Sequence, residues 1–212
     1  MMRHKPMLAY PVSDKPINYD DKVFMQPKLD GVRCLIQYDK KTGVTAWSRT
    51  GKQWKNIHHI TSSLEKWFKS NQTTVLDGEL YNHDLRDDFE TIISLVRRQK
   101  PDDIDMLESA DLVQFHCYDI IDEKLPFDQR IEFVTESLML LGNSIHTVDT
   151  VQIPNQFEAE EMHEVNMNSG FEGSILRTND KYACKRSHNL RKFKDFHDTE
   201  ATITGWVEGK GK

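Results

Sequence analysis

Alternating apolar and polar residues predict strands in the first half of the chain. β-Branched and aromatic residues favour four of them: Val23 to Gln26, Val32 to Tyr38, Val44 to Trp47 and Thr73 to Tyr81. The sequence DKKTG at 39–43 is typical of a hairpin turn, so the second and third strands are expected to pair. Leu112 to Ile121 is largely apolar and predicts a further, buried strand.

Apolar residues at helical spacing predict helices between these strands. Thr61 to Phe68 places three large apolar side chains on one face. The spacing from Phe89 to Val96, and from Ile131 to Leu141, indicates two more helices. Another helix is expected to begin at Asn155, where a glutamate three residues later fits a capping box.

The final third favours short strands, at Gly173 to Arg177, Tyr182 to Lys185, Arg191 to Lys194 and Ala201 to Val207. Strands and helices do not alternate in the regular way of a doubly wound sheet. The pattern therefore predicts a mixed α/β (α+β) fold of two largely antiparallel sheets flanked by helices.

Composition is that of a globular protein, since 37% of the 212 residues are hydrophobic and 29% are charged. No apolar stretch approaches the ~20 residues of a membrane-spanning helix, which argues against a membrane protein. The three cysteines lie far apart in the sequence, so neither a disulfide framework nor a CxxC metal site is supported. An intracellular location is expected, in the cytoplasm of the cell or of a host, or in the nucleus of a eukaryote.

The net charge of −6 argues at first against a nucleic-acid partner. The charges are unevenly distributed, however. Residues 177–212 hold nine basic and five acidic residues, and residues 28–55 hold seven basic and two acidic ones. One face of the folded chain can therefore be basic, although an ordinary solvated surface shows such blocks as well.

The segment from Lys28 to Arg33, with the pattern K-x-D-G-x-R, carries the first chemical signal. Asp-Gly favours a turn, so a turn with surface charges is the simplest interpretation. More motifs follow in order: S-R-T-G at 48–51, D-G-E at 77–79, Y-D at 118–119, E-G-S-I-L-R at 172–177 and K-F-K at 192–194. Asp77 and Glu79 project to one face of a strand, where burial is costly unless they bind a cation or hydroxyl groups.

This ordered series resembles the adenylation domain of ATP-dependent DNA ligases, within the covalent nucleotidyltransferase superfamily, and the match covers nearly the whole chain. The resemblance implies the ATP-grasp-like nucleotidyltransferase fold of these ligases. It also implies that a lysine attacks the α-phosphate of ATP, and that the resulting lysyl-AMP passes AMP to the 5′-phosphate of a nick in duplex DNA. The 3′-hydroxyl then seals the nick, in replication, repair or recombination. Small ligases of this kind resemble those of bacteriophages and other viruses.

The resemblance assigns the role of nucleophile to Lys28, whose deprotonated amine would form a phosphoramidate with AMP. Lys192 and Lys194 match the phosphate-contacting pair of the family, and their charges suit the charge that develops on the α-phosphate. Tyr118 matches the aromatic residue that stacks on adenine, although its place in an apolar strand also fits a core role.

Magnesium is the implied cation, with Glu172 and Glu79 as carboxylate ligands. Glu79 is also suited to accept hydrogen bonds from ribose hydroxyls, and either glutamate fits a structural ion pair. Arg33 matches the residue that contacts the nucleotide sugar and the nick terminus, and Arg49 matches the one that binds the 5′-phosphate of the nicked DNA. Bidentate contacts of arginine suit both tasks.

Two nucleotide-binding positions depart from the family pattern. Gln26 stands where many members carry a glutamate that reads the adenine amino group. Its carbonyl oxygen can accept that bond, but its amide can equally donate to guanine. Arg177 stands where the motif usually has lysine, which preserves the charge and alters the reach.

The resemblance divides the chain into an adenylation domain at 1–200 and the start of a truncated OB-fold domain at 201–212. On that basis, self-adenylation and sealing by this chain alone are expected to be weak or absent, with nucleotide binding retained. ATP, Mg²⁺ and nicked duplex DNA are the expected ligands, and the chain is expected to act as a monomer away from membranes. An mRNA capping guanylyltransferase, an RNA ligase and a non-catalytic nucleic-acid-binding module stay open as alternatives.

Overall fold

The computed structural model describes residues 2, 4–194 and 205–208. The strands in these ranges are β1 (Leu8–Pro11), β2 (Val23–Pro27), β3 (Val32–Asp39), β4 (Gly43–Trp47), β5 (Gln53–Trp54), β6 (Val75–Tyr81), β7 (Gln114–Ile120), β8 (Ile145–Thr147), β9 (Val151–Ile153), β10 (Ser174–Thr178) and β11 (Arg186–Phe193). The α-helices are α1 (His58–Ser70), α2 (Phe89–Arg97), α3 (Asp103–Leu112), α4 (Phe127–Leu138) and α5 (Gln156–Asn168).

Two sheets contain all of these strands. The five-stranded sheet has the order β1-β11-β10-β2-β9, and the six-stranded sheet has the order β5-β4-β3-β6-β7-β8. Within them, β1 pairs with β11 and β7 pairs with β8 in parallel, and every other pair is antiparallel. The predicted fold class, two largely antiparallel sheets with flanking helices, is therefore confirmed.

The larger hydrophobic core lies between the six-stranded sheet and helices α1 to α4. Apolar side chains that the sequence pattern placed on one face of each element, such as Ile36, Leu64, Phe68 and Val134, are buried there. Burying a side chain of this size stabilises the fold by roughly 1.5–3 kcal/mol. The smaller core lies under α5, which packs on β2 and β9 of the five-stranded sheet.

The hairpin of β3 and β4 forms as predicted, with Leu35 opposite Trp47 and Asp39 opposite Gly43. The side chain of Asp39 closes the turn, because its carboxylate accepts hydrogen bonds from the backbone N–H groups of Lys41 and Thr42. This local bonding is typical of aspartate in turns.

Helix α3 was not predicted from the sequence. Because the helix ends at Leu112, the strand predicted to begin there begins at Gln114 instead. The helix lacks an apolar stripe, since Ile104 and Leu107 are exposed and its buried residues are Asp105 and Ser109. Polar contacts hold it instead, including a capping box at its start. A periodicity argument does not detect such a helix.

Two other element predictions are wrong in detail. The helix after Pro126 ends at Leu138 rather than Leu141. The segment Tyr182 to Lys185 is a loop, because the backbone N–H of Tyr182 donates to Asp122 rather than to a neighbouring strand.

The predicted strand Ala201 to Val207 falls mostly outside the described residues, and Gly205, Trp206 and Val207 have no regular secondary structure. The proposed OB-fold start at 201–212 therefore stays a prediction. No helix in the described part of the chain combines the length and apolar character that crossing a membrane requires.

Gly78 allows β6 and β7 to lie close together in the centre of the six-stranded sheet. A Cβ at this position would lie 2.5 Å from the carbonyl oxygen of His116 and from the ring of Phe115. We predict that Gly78→Ala lowers the free energy of unfolding by about 2 kcal/mol or more, because the packed strands must move apart. Urea unfolding measures this, with Gly205→Ala as the control. An added Cβ at 205 meets nothing within 4 Å, so a change below about 0.5 kcal/mol is expected there.

Candidate active site

Backbone hydrogen bonds place the K-x-D-G-x-R segment beside the E-G segment. The N–H of Lys28 donates to the carbonyl oxygen of Gly173 at 2.9 Å, and the N–H of Glu172 donates to the carbonyl oxygen of Lys28 at 3.1 Å. Gly173 has φ 144°, a conformation that favours glycine, and a Cβ there would collide with the backbone oxygen of Phe193. The glycine of this motif thus lets three segments converge on Lys28.

Glu172 bridges two ammonium groups. Lys28 Nζ contacts Glu172 Oε2, and Lys194 Nζ contacts Oε1 of the same carboxylate. Burial lowers the pKa of Lys28, and the carboxylates of Glu79 and Asp30 oppose this effect. The pKa of Lys194 is lowered as well, by burial and by the charge of Lys28. A lowered pKa makes the neutral, nucleophilic amine more accessible at neutral pH.

A cavity of about 300 Å³ opens beside Lys28, between the two sheets. Its wall contains eight of the residues that the sequence singled out: Gln26, Lys28, Arg33, Arg49, Glu79, Tyr118, Arg177 and Lys192. Glu172 and Lys194 are not part of this wall and reach the site through their contacts with Lys28 and with each other. All ten predicted site residues therefore lie in or next to one cavity.

Arg33 is held by Asp77, which the sequence placed in the D-G-E motif. Arg33 Nε donates to Asp77 Oδ1 at 2.6 Å and Nη2 donates to Oδ2 at 2.5 Å, a bidentate pair. Tyr182 Oη also donates to Asp77, and in turn accepts from the backbone N–H of Met7. The buried carboxylate thus has the cation and hydroxyl partners that its burial requires.

Glu79 and Tyr118 face each other across the same region of the wall. Tyr118 Oη donates to Glu79 Oε2 at 3.2 Å, and the guanidinium of Arg33 lies 5.0 Å from the centroid of the Tyr118 ring. Burial raises the pKa of Glu79 from 4.5 to about 7, although Arg33 and Lys28 act in the opposite direction. Near neutral pH this carboxyl group is therefore partly protonated.

Gln26 and Arg177 form part of a buried polar network. Arg177 Nε donates to Gln26 Oε1 at 2.8 Å, and Arg177 Nη1 donates to Asp119 Oδ2 at 2.7 Å. Asp119 is also held by Arg130 on α4, at 2.7 and 3.1 Å. One buried carboxylate is thus shared by two arginines.

Arg49 differs from the rest of the wall because it is exposed, in the turn that follows β4. This position at the rim of the cavity leaves its guanidinium accessible to a large ligand. Lys192 lies opposite Ile175 in the pairing of β11 with β10, and both residues line the cavity.

No site role was predicted for several residues that complete the site. Arg186 and the segment Leu8–Ala9 also line the cavity. Arg130 and Tyr182 support the cavity indirectly, because they bind the buried carboxylates of Asp119 and Asp77. Arg130 had a detectable signal, because it occupies the apolar face of α4 together with Phe127, Ile131 and Val134, and a charge on such a face needs a buried partner.

We predict that Glu79→Gln stabilises the protein at high pH. Because the folded protein raises the pKa of Glu79 from 4.5 to about 7, ionisation destabilises the folded state progressively as the pH rises from about 4.5 to about 7. The penalty is constant above pH 7 and absent below pH 4.5. The variant should gain about 2 kcal/mol at pH 8 and nothing near pH 4. Urea unfolding at both pH values measures the difference. The exposed Glu108→Gln is the control, and an equal gain at both pH values would contradict the prediction.

The chain is similar to ATP-dependent DNA ligases in family, sequence and fold. A family model described as ATP dependent DNA ligase domain matches residues 6–194. A DNA ligase of African swine fever virus is 25% identical over 196 residues, which cover 88% of this chain and 45% of the viral protein. The chain spans about half the length of the curated relatives it matches.

Solved structures show the same fold. The ATP-dependent DNA ligase of bacteriophage T7, in complex with ATP, has a TM-score of 0.73 at 18% identity, covering 90% of this chain and 68% of the phage chain. A Chlorella virus DNA ligase-adenylate has a TM-score of 0.65 at 24% identity, covering 94% and 72%. The predicted nucleotidyltransferase fold of DNA ligases is thereby confirmed. Since the family model covers most of the sequence, the chain belongs to the ATP-dependent DNA ligase domain family.

Proposed function

We propose that this chain carries out the adenylation chemistry of an ATP-dependent DNA ligase. Lys28 attacks the α-phosphorus of ATP, the bond to pyrophosphate breaks, and AMP stays on the lysine as a phosphoramidate. AMP then passes to the 5′-phosphate of a nick, and the attack of the 3′-hydroxyl releases it. The observation that carries this proposal is a partly buried lysine with a lowered pKa, in a cavity whose wall also holds an aromatic ring and several cations.

The other residues take roles that fit their positions. Tyr118 supplies an aromatic surface for the base. Lys192 and Lys194 lie on the side of Lys28, where the phosphates would be held, and their charges stabilise the negative charge that develops on the transferred group. Arg33 is oriented by Asp77 toward the same space and would contact the nucleotide sugar.

The chemistry of the donors favours Glu172 over Glu79 as the residue that would hold Mg²⁺. Mg²⁺ binds through one or two ionised carboxylates together with phosphate oxygens. Glu172 binds the ammonium groups of Lys28 and Lys194, so its ionised carboxylate lies directly beside the proposed nucleophile. When bound, the ion would neutralise charge on the phosphates. Glu79, with its raised pKa and its bond from Tyr118, is better suited to bind a ribose hydroxyl.

Nicked duplex DNA is the proposed partner. The exposed Arg49 lies at the rim of a cavity to which Arg186 and Lys192 also contribute cations, so a phosphate at the cavity mouth can reach several positive groups. The family match and the relatives named above favour a DNA ligase over a capping guanylyltransferase or an RNA ligase.

We predict that the chain, incubated in excess over α-labelled ATP with Mg²⁺, forms an acid-labile covalent adduct, and that Lys28→Ala abolishes it. The amine is the only group of residue 28 that can form the phosphoramidate. Labelling is read by gel electrophoresis, with Lys100→Ala, an exposed lysine away from the cavity, as the control. Absence of an adduct with either ATP or GTP, both in this chain and in a version extended by an OB-fold domain, would refute the proposed chemistry. Labelling by GTP alone would favour a capping enzyme.

We predict that Arg49→Ala reduces the preference for a nick with a 5′-phosphate over one with a 5′-hydroxyl by about tenfold, because a charge-assisted bond to the phosphate is lost. Gel-shift titration of the two duplexes at one salt concentration measures the ratio. Arg97→Ala, on the exposed end of α2, is the matched control and should leave the ratio unchanged. A ratio that stays the same in Arg49→Ala would contradict the assignment.

A further inference from the structure

Gln26 is held by three hydrogen bonds at one end of the cavity. Its Oε1 accepts from Arg177 Nε at 2.8 Å. Its Nε2 donates to the hydroxyl oxygen of Thr150 at 2.9 Å and to the backbone carbonyl oxygen of Tyr118 at 3.2 Å. Gln26 is only 2% exposed, yet it forms part of the cavity wall. Its amide therefore faces the ligand from a fixed position.

The partners of Gln26 allow only one orientation of this amide. A guanidinium carries donors and no acceptor, so the atom next to Arg177 must be the carbonyl oxygen. On the other side, the hydroxyl group of Thr150 donates to the carbonyl oxygen of Val148 at 3.0 Å, which leaves its oxygen as an acceptor. The carbonyl of Tyr118 is also an acceptor. Both amide hydrogens are thus used. Within the described part of the chain, the free capacity left to Gln26 is one lone pair on Oε1.

Arg177 cannot easily turn away from Gln26, because it is itself fixed. It is 3% exposed and donates to the fully buried Asp119 at 2.7 Å. Arg130 holds the same carboxylate from α4 and is 1% exposed. The guanidinium of Arg177 also lies 4.8 Å from the ring centroid of Phe127. A reversed Gln26 amide would place its NH₂ group against this immobile cation.

From this geometry we propose that Arg177 is a positioning residue that makes the cavity specific for a 6-aminopurine, and the inference rests on the proposed function. Arg177 forces Gln26 to present an acceptor, so the amino group at C6 of adenine can donate to Oε1. A 6-oxopurine, such as guanine or hypoxanthine, would place its own carbonyl oxygen against that lone pair. A glutamate at position 26 could only accept hydrogen bonds. In the Gln26–Arg177 pair, Arg177 orients the amide so that Gln26 likewise presents an acceptor to the cavity.

The first test uses the unmodified chain and three triphosphates: ATP, purine riboside triphosphate, which has only hydrogen at C6, and inosine triphosphate. Competition binding in the presence of Mg²⁺ gives their affinities. We expect purine riboside triphosphate to bind about tenfold more weakly than ATP, because one hydrogen bond is lost. Inosine triphosphate should bind about a hundredfold more weakly than ATP, because a buried acceptor then faces another acceptor.

The outcomes separate this inference from the proposed function. Inosine triphosphate that binds as tightly as purine riboside triphosphate, or more tightly, overturns the inference and leaves the proposed nucleotide site intact. That result would mean that Gln26 reverses or that a free N–H group of Arg177 reads the 6-oxo group. Failure of all three triphosphates to bind would overturn the proposed function, and the inference with it.

The second test compares Arg177→Met with Arg177→Lys. Methionine removes the donor that fixes Gln26, so the ratio of ATP to inosine triphosphate affinity should fall by about tenfold. Lysine keeps a donor-only cation and should hold the ratio within about threefold of the unmodified chain. A merely structural role for Arg177 would weaken both nucleotides equally and leave the ratio unchanged, which would overturn the proposal. Thermal unfolding shows whether Arg177→Met folds. If it does not, the affinities of the unmodified chain for the three triphosphates decide whether the inference stands.

Discussion

The buried carboxylate of Asp119 is the constraint on which the site depends. It ends β7 in the six-stranded sheet and is completely inaccessible to solvent. Removing an ionised carboxylate from water costs several kcal/mol unless cations and hydrogen bonds replace the solvent. Arg130 from α4 and Arg177 from β10 supply them, so one charge joins the two sheets and a helix. The wall of the cavity is built on this junction, because Arg177 goes on to fix Gln26.

Asp77 plays an equivalent part on the neighbouring strand. Its carboxylate is fully buried and orients Arg33 through two bonds, and the hydroxyl of Tyr182 donates a third hydrogen bond to it. Each of the two aspartates lies in a strand and orients one arginine toward the cavity. Rigid support of this kind preorganises the cations, so they need not move when an anionic group binds.

Charge in this protein is local rather than global. The whole chain carries −6. Among the described residues, however, the cavity wall combines one carboxyl group, that of Glu79, with six cationic side chains: Lys28, Arg33, Arg49, Arg177, Arg186 and Lys192. Because Glu79 has a pKa of about 7, even that negative charge is partly suppressed near neutral pH. The concentration of cations gives an acidic protein a cavity that is locally favourable to anions. Together with burial, the charge of Lys28 lowers the pKa of Lys194.

The fold class, most elements with a strong apolar period and the ten residues that meet at the cavity can be predicted from the sequence, because side-chain periodicity and motif order are local properties of the chain. The sequence does not reveal α3, whose stability comes from polar contacts rather than an apolar stripe. Nor does it reveal which end of the Gln26 amide faces the cavity. That choice depends on Arg177, Thr150 and the backbone of Tyr118, which are distant in sequence and come together only when the two sheets pack. The tertiary structure decided it, because the direction of an amide is set by the donors and acceptors around it.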